Sequence, residues 1–200
     1  MDKQLITQRN KKLRKNLKSD IFLVENPANV TYLTGFTGQD SWAAVTNRMV
    51  YLITDSRYTQ QAEKECHGCK IIDRKQSIPE EIANIVKKSK SIKKISTEDT
   101  VSVRTLKQLQ KNIGKKPRTV KNKVETLRQV KDEKEINALK KAAAIAAKAL
   151  KNVQKHFKKG ITEIELAGLL DLEIRKLGSI NSFPTIVAFG ANGSRPHHQP

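Results

Sequence analysis

The sequence predicts an α/β fold in which helices flank a mixed sheet. Short apolar, β-branched runs alternate with longer segments of helical periodicity over residues 1–121, and such alternation is typical of layered α/β domains. The pattern changes after residue 124, where a long amphipathic segment is followed by another helical one. We therefore expect a first domain at residues 1–121 and the incomplete start of an α+β domain at residues 122–200.

The first half of residues 1–121 contains a helix and three strands by pattern. Apolar positions recur at helical spacing over residues 2–18, and the buried run Ile21 to Val24 predicts a strand that the Asn26-Pro27 step ends. Residues 29–38 predict a short helical turn that runs into a glycine-containing loop. Two further strands, at residues 42–46 and 49–54, predict a hairpin.

The second half of this region alternates again. Asp55 and Ser56 are expected to cap a helix that ends at Glu65. Ser77 and Glu80 form a capping box for the next helix. The remaining predicted elements are strands at residues 70–73 and 93–96, a helix at 101–113 that Gly114 ends, and a polar connection that begins at residue 114.

Residues 122–200 predict two helices and a strand that leads to a histidine pair. The helices are expected at 132–157 and, after a Thr162/Glu165 capping box, up to Gly178. The apolar run Thr185 to Phe189 predicts a buried strand, and a glycine-containing turn follows it. Pro196 then fixes the backbone before His197 and His198. A sheet edge of this kind is a frequent position for catalytic groups.

Composition narrows the class of protein. No run approaches the roughly 20 apolar residues of a membrane span, and the N-terminus lacks the apolar region of a secretory signal, so we expect a cytoplasmic protein with no membrane partner. The net charge is +19. Because the basic residues are spread along the chain and aromatic residues do not alternate with them, we expect solvated helix faces and no specific nucleic-acid partner.

Cys66 and Cys69 flank His67 and Gly68. The spacing is compatible with half of a zinc site or with a redox pair. A structural zinc site needs four ligands, and a thioredoxin-like pair begins a helix that follows a strand, whereas this pair follows a helical segment. We interpret the cysteines as two reduced thiols in a turn.

Five segments together resemble the N-terminal part of the Xaa-Pro aminopeptidase (aminopeptidase P) and prolidase family. They are residues 29–38, 54–58, 128–136, 160–163 and 183–200. Their order and spacing carry the resemblance, which extends over nearly the whole chain. It implies a creatinase-like N-terminal domain followed by a truncated "pita-bread" peptidase domain.

The resemblance also implies the chemistry. Such enzymes cleave peptide bonds before proline with two divalent metal ions, often manganese, that activate a hydroxide. Their five ligands, two Asp, one His and two Glu, follow the segment that matches residues 183–200, so no metal ligand is assigned in this chain. His197 matches a histidine that binds substrate and assists the transition state, and His198 matches no such residue.

Three hypotheses follow. The first is an Xaa-Pro aminopeptidase, or a prolidase that cleaves Xaa-Pro dipeptides, acting on proline-containing peptides as a homodimer when complete. As this chain alone it is expected to be inactive and to bind no catalytic metal pair. The second is a noncatalytic module of the same fold that binds peptides or proteins. The third is a basic nucleic-acid binder.

Overall fold

The computed structural model of the chain describes residues 3–200. The helices are α1 (Lys3–Lys15), α2 (Pro27–Thr34), α3 (Thr59–Glu65), α4 (Ile78–Lys88), α5 (Val103–Ile113), α6 (Glu125–Gln129), α7 (Glu133–Gln154) and α8 (Glu163–Lys176). The strands are β1 (Ile21–Val24), β2 (Trp42–Thr46), β3 (Val50–Thr54), β4 (Lys70–Asp73), β5 (Ile95–Glu98) and β6 (Arg118–Val120). The predicted start of the first helix at residue 2 lies outside the described residues.

The six strands form one mixed sheet in the order β4-β3-β2-β1-β5-β6. β2 pairs antiparallel with both β1 and β3, and the other neighbouring pairs are parallel. The hairpin β2-β3 was predicted, and the parallel pairs are joined through helices as parallel pairing requires. The α/β class with a mixed sheet flanked by helices is confirmed.

Alternate residues of the central strand β1 face opposite sides of the sheet. Phe22 and Val24 belong to one buried cluster, together with Leu13 of α1 and Leu33 of α2. Ile21 belongs to the other cluster. That second cluster also contains Ile82 and Ile85 of α4 and Leu109 of α5. The sheet is therefore the middle layer between two helical layers, each of which buries an apolar stripe against it.

A polar network centred on Asn29 ties α6 to this core. The Asn29 Nδ2 atom donates to Glu98 Oε1 and to Glu125 Oε1, both at 2.5 Å. Arg128 donates to Asn29 Oδ1 at 2.9 Å. Burial raises the pKa of Glu98 above its usual range, and its Oε2 accepts the backbone N–H groups of residues 25 and 26. Residues 125–128 are thereby bonded to the first domain.

Two compact units divide between Val130 and Lys131. The predicted domain boundary, after residue 121, lies ahead of this division. The strand β6 ends just before the predicted boundary and pairs with β5. The helix α6 follows the predicted boundary, yet it belongs to the first unit, where Glu125 accepts a hydrogen bond from Asn29. The second unit contains α7 and α8, which pack against each other.

Capping chemistry sets the helix starts of the second unit. Asp132 with Glu135, and Thr162 with Glu165, each form the reciprocal pair of side-chain bonds of a capping box. The second of these boxes was predicted. The glycine at 178 has a φ of 74° just beyond α8, as expected for a residue that ends a helix.

Three predictions of local structure were wrong. Asp55 does not cap α3, because that helix begins at Thr59 with Tyr58 at its N-cap, and the Asp55 carboxylate instead accepts from the guanidinium groups of Arg57 and Arg74. The connection after Gly114 contains the short strand β6. Residues 185–189 form no strand, and residues 131–200, all of which are described, contain no strand with which they could pair. A strand without a neighbour leaves its backbone groups unsatisfied.

Candidate functional site

The candidate site is the segment 189–198, which we call the histidine loop. A 3₁₀ turn at Gly190–Ser194 opens it. Arg195 N donates to Asn192 O at 2.9 Å, and His198 N donates to Arg195 O at 3.2 Å. Two successive turns therefore present the proline and the two histidines.

Glu163, in the first turn of α8, holds the histidine loop. Its Oε1 accepts from the backbone N–H of Phe189 at 2.6 Å and from Asn192 Nδ2 at 3.0 Å. Its Oε2 lies 2.8 Å from His198 Nε2. One carboxylate thus binds the first residue, the turn and the last histidine of the loop. The position of an acidic residue in a first helical turn is also favoured by the helix dipole.

The two histidines have different surroundings. The His198 side chain is only 12% exposed and lies against Glu163. His197, the predicted catalytic and substrate-binding residue, is exposed, and its ring forms no hydrogen bond or ion pair with any of residues 3–200. The His198 side chain therefore attaches the loop to α8 through Glu163, while the His197 imidazole is available to a ligand.

The histidine loop keeps Glu163 ionised. The Phe189 N–H, the Asn192 amide and His198 lower the pKa of Glu163 from 4.5 to about 2, in that order of importance. An ionised carboxylate accepts all these bonds, whereas a protonated one would have to give up at least part of them. The loop and the charge of Glu163 are therefore coupled.

We expect the loop to loosen only in strong acid. Because the folded pKa of Glu163 is depressed, its stabilising effect is complete above pH 4.5 and is lost as the pH falls from 4.5 to about 2. In NMR titrations the Phe189 amide resonance should therefore move with a midpoint near pH 2. Glu163→Gln should abolish this transition, and a midpoint near pH 4.5 in the unmodified chain would contradict the coupling.

A second polar cluster joins Asp171, in the middle of α8, to the chain that follows this helix. Asp171 Oδ1 accepts from Asn181 Nδ2 at 2.6 Å and from the hydroxyl of Thr185. Asn181 Nδ2 also lies 2.6 Å from Thr185 Oγ1. These bonds fix the chain after α8 where a strand was predicted.

Residues 3–200 offer no set of side chains that fits a metal ion. Among residues 3–200 no group of three or more His, Cys, Asp and Glu side chains is placed to hold one. His198 already binds Glu163, and two donors are too few for a structural or catalytic site. Cys66 and Cys69 are free thiols, both partly buried against the cluster that contains Phe22.

Two known families match nearly the whole chain. Residues 7–130 match the creatinase/prolidase N-terminal domain, and residues 137–200 match metallopeptidase family M24. This chain belongs to the creatinase/prolidase N-terminal domain family. The predicted resemblance is confirmed, including the order of a creatinase-type domain followed by the beginning of a peptidase domain.

Individual relatives agree with this family. An uncharacterized peptidase of Bacillus subtilis, YqhT, is 35% identical over 89% of this chain and 51% of its own length. The structure of an Xaa-Pro dipeptidase from Bacillus anthracis superimposes with a TM-score of 0.90 at 30% identity, covering 96% of this chain and 55% of that one. An X-Pro aminopeptidase from Thermotoga maritima gives a TM-score of 0.82 at 32% identity, covering 93% and 55%. The chain spans about half the length of the curated relatives that it matches.

Sequence reasoning missed the role of Glu163. The residue was noticed only as part of the segment 160–163, while the capping box drew attention to Thr162 and Glu165. The available pattern was an acidic residue in a first helical turn, which is common at helix starts without any distant partner.

No helix among residues 3–200 is long and apolar enough to cross a membrane.

Proposed function

We propose that this chain is the N-terminal part of a metal-dependent Xaa-Pro aminopeptidase that cleaves peptide bonds on the N-terminal side of proline. The observation that carries the proposal is the similarity of nearly the whole chain, in one continuous order, to proteins of this family. A putative Xaa-Pro aminopeptidase of Mycoplasma genitalium adds to it, with 29% identity over 95% of this chain.

His197 is proposed as the residue of this chain that contacts the substrate. Its imidazole is exposed and uncommitted, while Pro196 and the bond from His198 to Glu163 restrict the backbone on either side. A ring on a backbone restricted in this way can donate a hydrogen bond to the substrate carbonyl oxygen as negative charge develops there. A bond that strengthens as this charge develops stabilises the transition state more than the ground state.

Metal binding is proposed for the longer enzyme and not for this chain. Two divalent ions, with manganese as our first choice, would supply the activated hydroxide. The described residues offer no set of ligands, so in the proposed enzyme the ions would be held by residues outside this chain. We also propose that the longer enzyme is a cytoplasmic homodimer, without specific nucleic-acid or membrane partners.

A dipeptidase is the second candidate. The structural similarity to an Xaa-Pro dipeptidase, with a TM-score of 0.90, favours it. An aminopeptidase accepts chains that continue beyond proline, whereas a dipeptidase requires a free carboxylate on the proline itself. The noncatalytic peptide-binding or protein-binding module remains the alternative outside the enzyme class.

The experiment compares this chain with a longer polypeptide in which it continues into a C-terminal half of the kind that full-length relatives carry. Both are incubated with manganese and with three peptides: an Xaa-Pro-Xaa tripeptide, an Xaa-Pro dipeptide, and a tripeptide with alanine in place of proline. We expect no turnover by this chain and preferential cleavage of the proline tripeptide by the longer polypeptide.

Each alternative has its own outcome in that assay. Cleavage of the dipeptide alone would establish the dipeptidase. Binding of proline peptides without cleavage would favour the noncatalytic module. Preference for the alanine tripeptide would overturn the assignment to proline peptidases.

A further inference from the structure

The first unit contains a cationic cavity of about 660 Å³. Seven of its thirteen lining residues are lysine or arginine, compared with 39 of the 200 residues of the chain. No aspartate or glutamate lines this cavity in the described part of the chain. The basic lining residues are Lys18, Lys94, Lys115, Lys116, Arg118, Lys121 and Lys123.

Chain topology brings these cations together. β1, β5 and β6 are neighbours that run parallel, so their N-terminal ends lie at the same edge of the sheet. Residues 17–19 precede β1, residues 94–96 open β5, and residues 115–123 surround β6. The three stretches are far apart in sequence, which is why the charge appeared evenly spread there.

Most of these charges are uncommitted. Lys115 Nζ donates to the backbone carbonyl of Lys93 at 2.9 Å, which fixes the approach to β6. Lys94 lies near the carboxylate of Asp20, whose hydrogen bonds go to backbone N–H groups. The other five basic side chains form no hydrogen bond or ion pair with any of residues 3–200. A concave surface lined by one sign of charge concentrates its field and attracts an anion of the opposite sign.

The base of the cavity has a different character. Leu17, Ile95 and Val120 provide apolar contact, and the hydroxyls of Ser19 and Ser96 lie 2.6 Å apart. Two hydroxyls that share one hydrogen bond have a second proton that can be donated elsewhere. The volume falls within the range of small-molecule sites in proteins.

Protection of an exposed sheet edge accounts for only part of this cluster. β6 is one of the two edge strands of the sheet, and basic side chains on an edge discourage pairing with another chain. That function explains Arg118 on the strand itself. It does not explain why Lys18, before β1, and Lys116 line the same cavity.

We propose that this cavity binds a compact oligophosphate anion, one that carries two or more linked phosphate groups. Phosphate oxygens match the lysine ammonium and arginine guanidinium groups of the rim, and the arginine can bind two oxygens at once. Inorganic tripolyphosphate and a nucleoside triphosphate share this chemistry. They differ in the nucleobase of the nucleotide, which would lie against Leu17, Ile95 and Val120, the apolar floor of the cavity.

The test is calorimetric titration of the whole 200-residue chain at 150 mM salt with inorganic tripolyphosphate and, separately, with ATP. We expect one equivalent to bind. The double substitution Lys116→Glu with Arg118→Glu should weaken binding at least tenfold, because it puts two negative charges on the rim. The matched control, Lys87→Glu with Lys88→Glu, changes the net charge equally on the exposed end of α4 and should change affinity less than about twofold.

Two further measurements identify the source of the phosphate and control for misfolding of the charge-reversed variant. Tighter binding of ATP than of tripolyphosphate would support a nucleotide on the apolar floor, and equal binding would support recognition of the phosphates alone. The neutral pair Lys116→Gln with Lys121→Gln, at exposed positions, should weaken binding severalfold while the circular dichroism spectrum is unchanged.

Three results would overturn the proposal. These are no saturable binding of either probe, binding of several equivalents, or equal loss of affinity in the Lys116/Arg118 and Lys87/Lys88 variants. A fourth result would also overturn it. If a short DNA duplex bound the unmodified chain more tightly than either probe does, and bound both charge-reversed variants equally weakly, the basic residues would form a diffuse nucleic-acid surface.

Discussion

Replacement of His197 by alanine in the proposed longer enzyme is expected to lower kcat about 10²- to 10³-fold, the usual cost of losing one hydrogen-bond donor to a developing oxyanion. The substitution removes an exposed ring that makes no hydrogen bond within residues 3–200. Folding should therefore be unaffected, and the loss should appear in kcat more than in KM because the interaction strengthens in the transition state. Steady-state kinetics on an Xaa-Pro tripeptide measures it.

The neighbouring His198→Ala variant is the control. His198 contacts Glu163, yet Glu163 retains the bonds from Phe189 N and Asn192 Nδ2 that hold the loop. We therefore expect less than a tenfold loss of kcat. Glu163→Gln should have a larger effect than His198→Ala, since it disturbs all three attachments of the histidine loop.

Two results would remove the role proposed for His197. One is a wild-type rate from His197→Ala. The other is a rate loss in His197→Ala that is matched by an equal loss in His198→Ala together with a lower melting temperature of both variants. The second result would indicate that the loop has only a structural function.

Periodicity predicted the sheet well where strands are buried on both faces. β1 is apolar at every position, and its four residues are all buried. The β2-β3 hairpin and the helix that begins at Ile78 were equally clear, because apolar runs and a capping box coincide with their ends. These elements depend on local chemistry that is visible in the sequence.

The missed and wrong elements depend on partners distant in the chain. β6 is a three-residue edge strand with two exposed positions, and its sequence of Arg118, Thr119 and Val120 resembles a polar connection. Residues 185–189 have the composition of a strand but pair with none. The position of Asp55 in the sequence predicts a helix cap, whereas in the structure its carboxylate forms ion pairs with Arg57 and Arg74. The composition of a segment favours a strand or a loop, but whether a strand forms depends on a neighbouring segment with which it can pair.

The candidate site was predictable only in part. The exposed position of His197 after Pro196 agrees with the role inferred from the sequence, and that role stays a prediction. The contact from Glu163 to residues 189–198 joins positions far apart in the chain, and so does the cationic cavity. Neither follows from spacing, because each requires the fold to bring separate segments together.

Hydrogen exchange should show that the two units of this chain differ greatly in stability. The first unit buries large side chains on both faces of its sheet, with Phe22 and Phe36 in one cluster and Ile53 in the other. The buried apolar residues of the second unit are few and mostly small: Ala149, Val153, Leu166 and Ala167. Less apolar burial gives less free energy of unfolding, and cooperative units open according to their own stability.

Exposed apolar side chains in the second unit point to the same difference. Ile180 is 74% exposed, Phe183 66% and Phe157 54%. Such surface favours association over a single compact state. The helices α7 and α8 keep their capping boxes, which stabilise helix starts locally without supplying a core.

We therefore expect protection factors of about 10³ or more for amides of β1 and β5, and of about 10² or less for those of α7 and α8. Phe22→Ala should cost about 3–5 kcal/mol in the first unit and should reduce protection in β1 while α7 and α8 exchange as before. Mass spectrometry of peptides from deuterated chain measures both effects. Equal protection across the two units in a monodisperse monomer, or a parallel loss of protection in α7 on replacing Phe22, would mean that residues 3–200 unfold as a single cooperative structure.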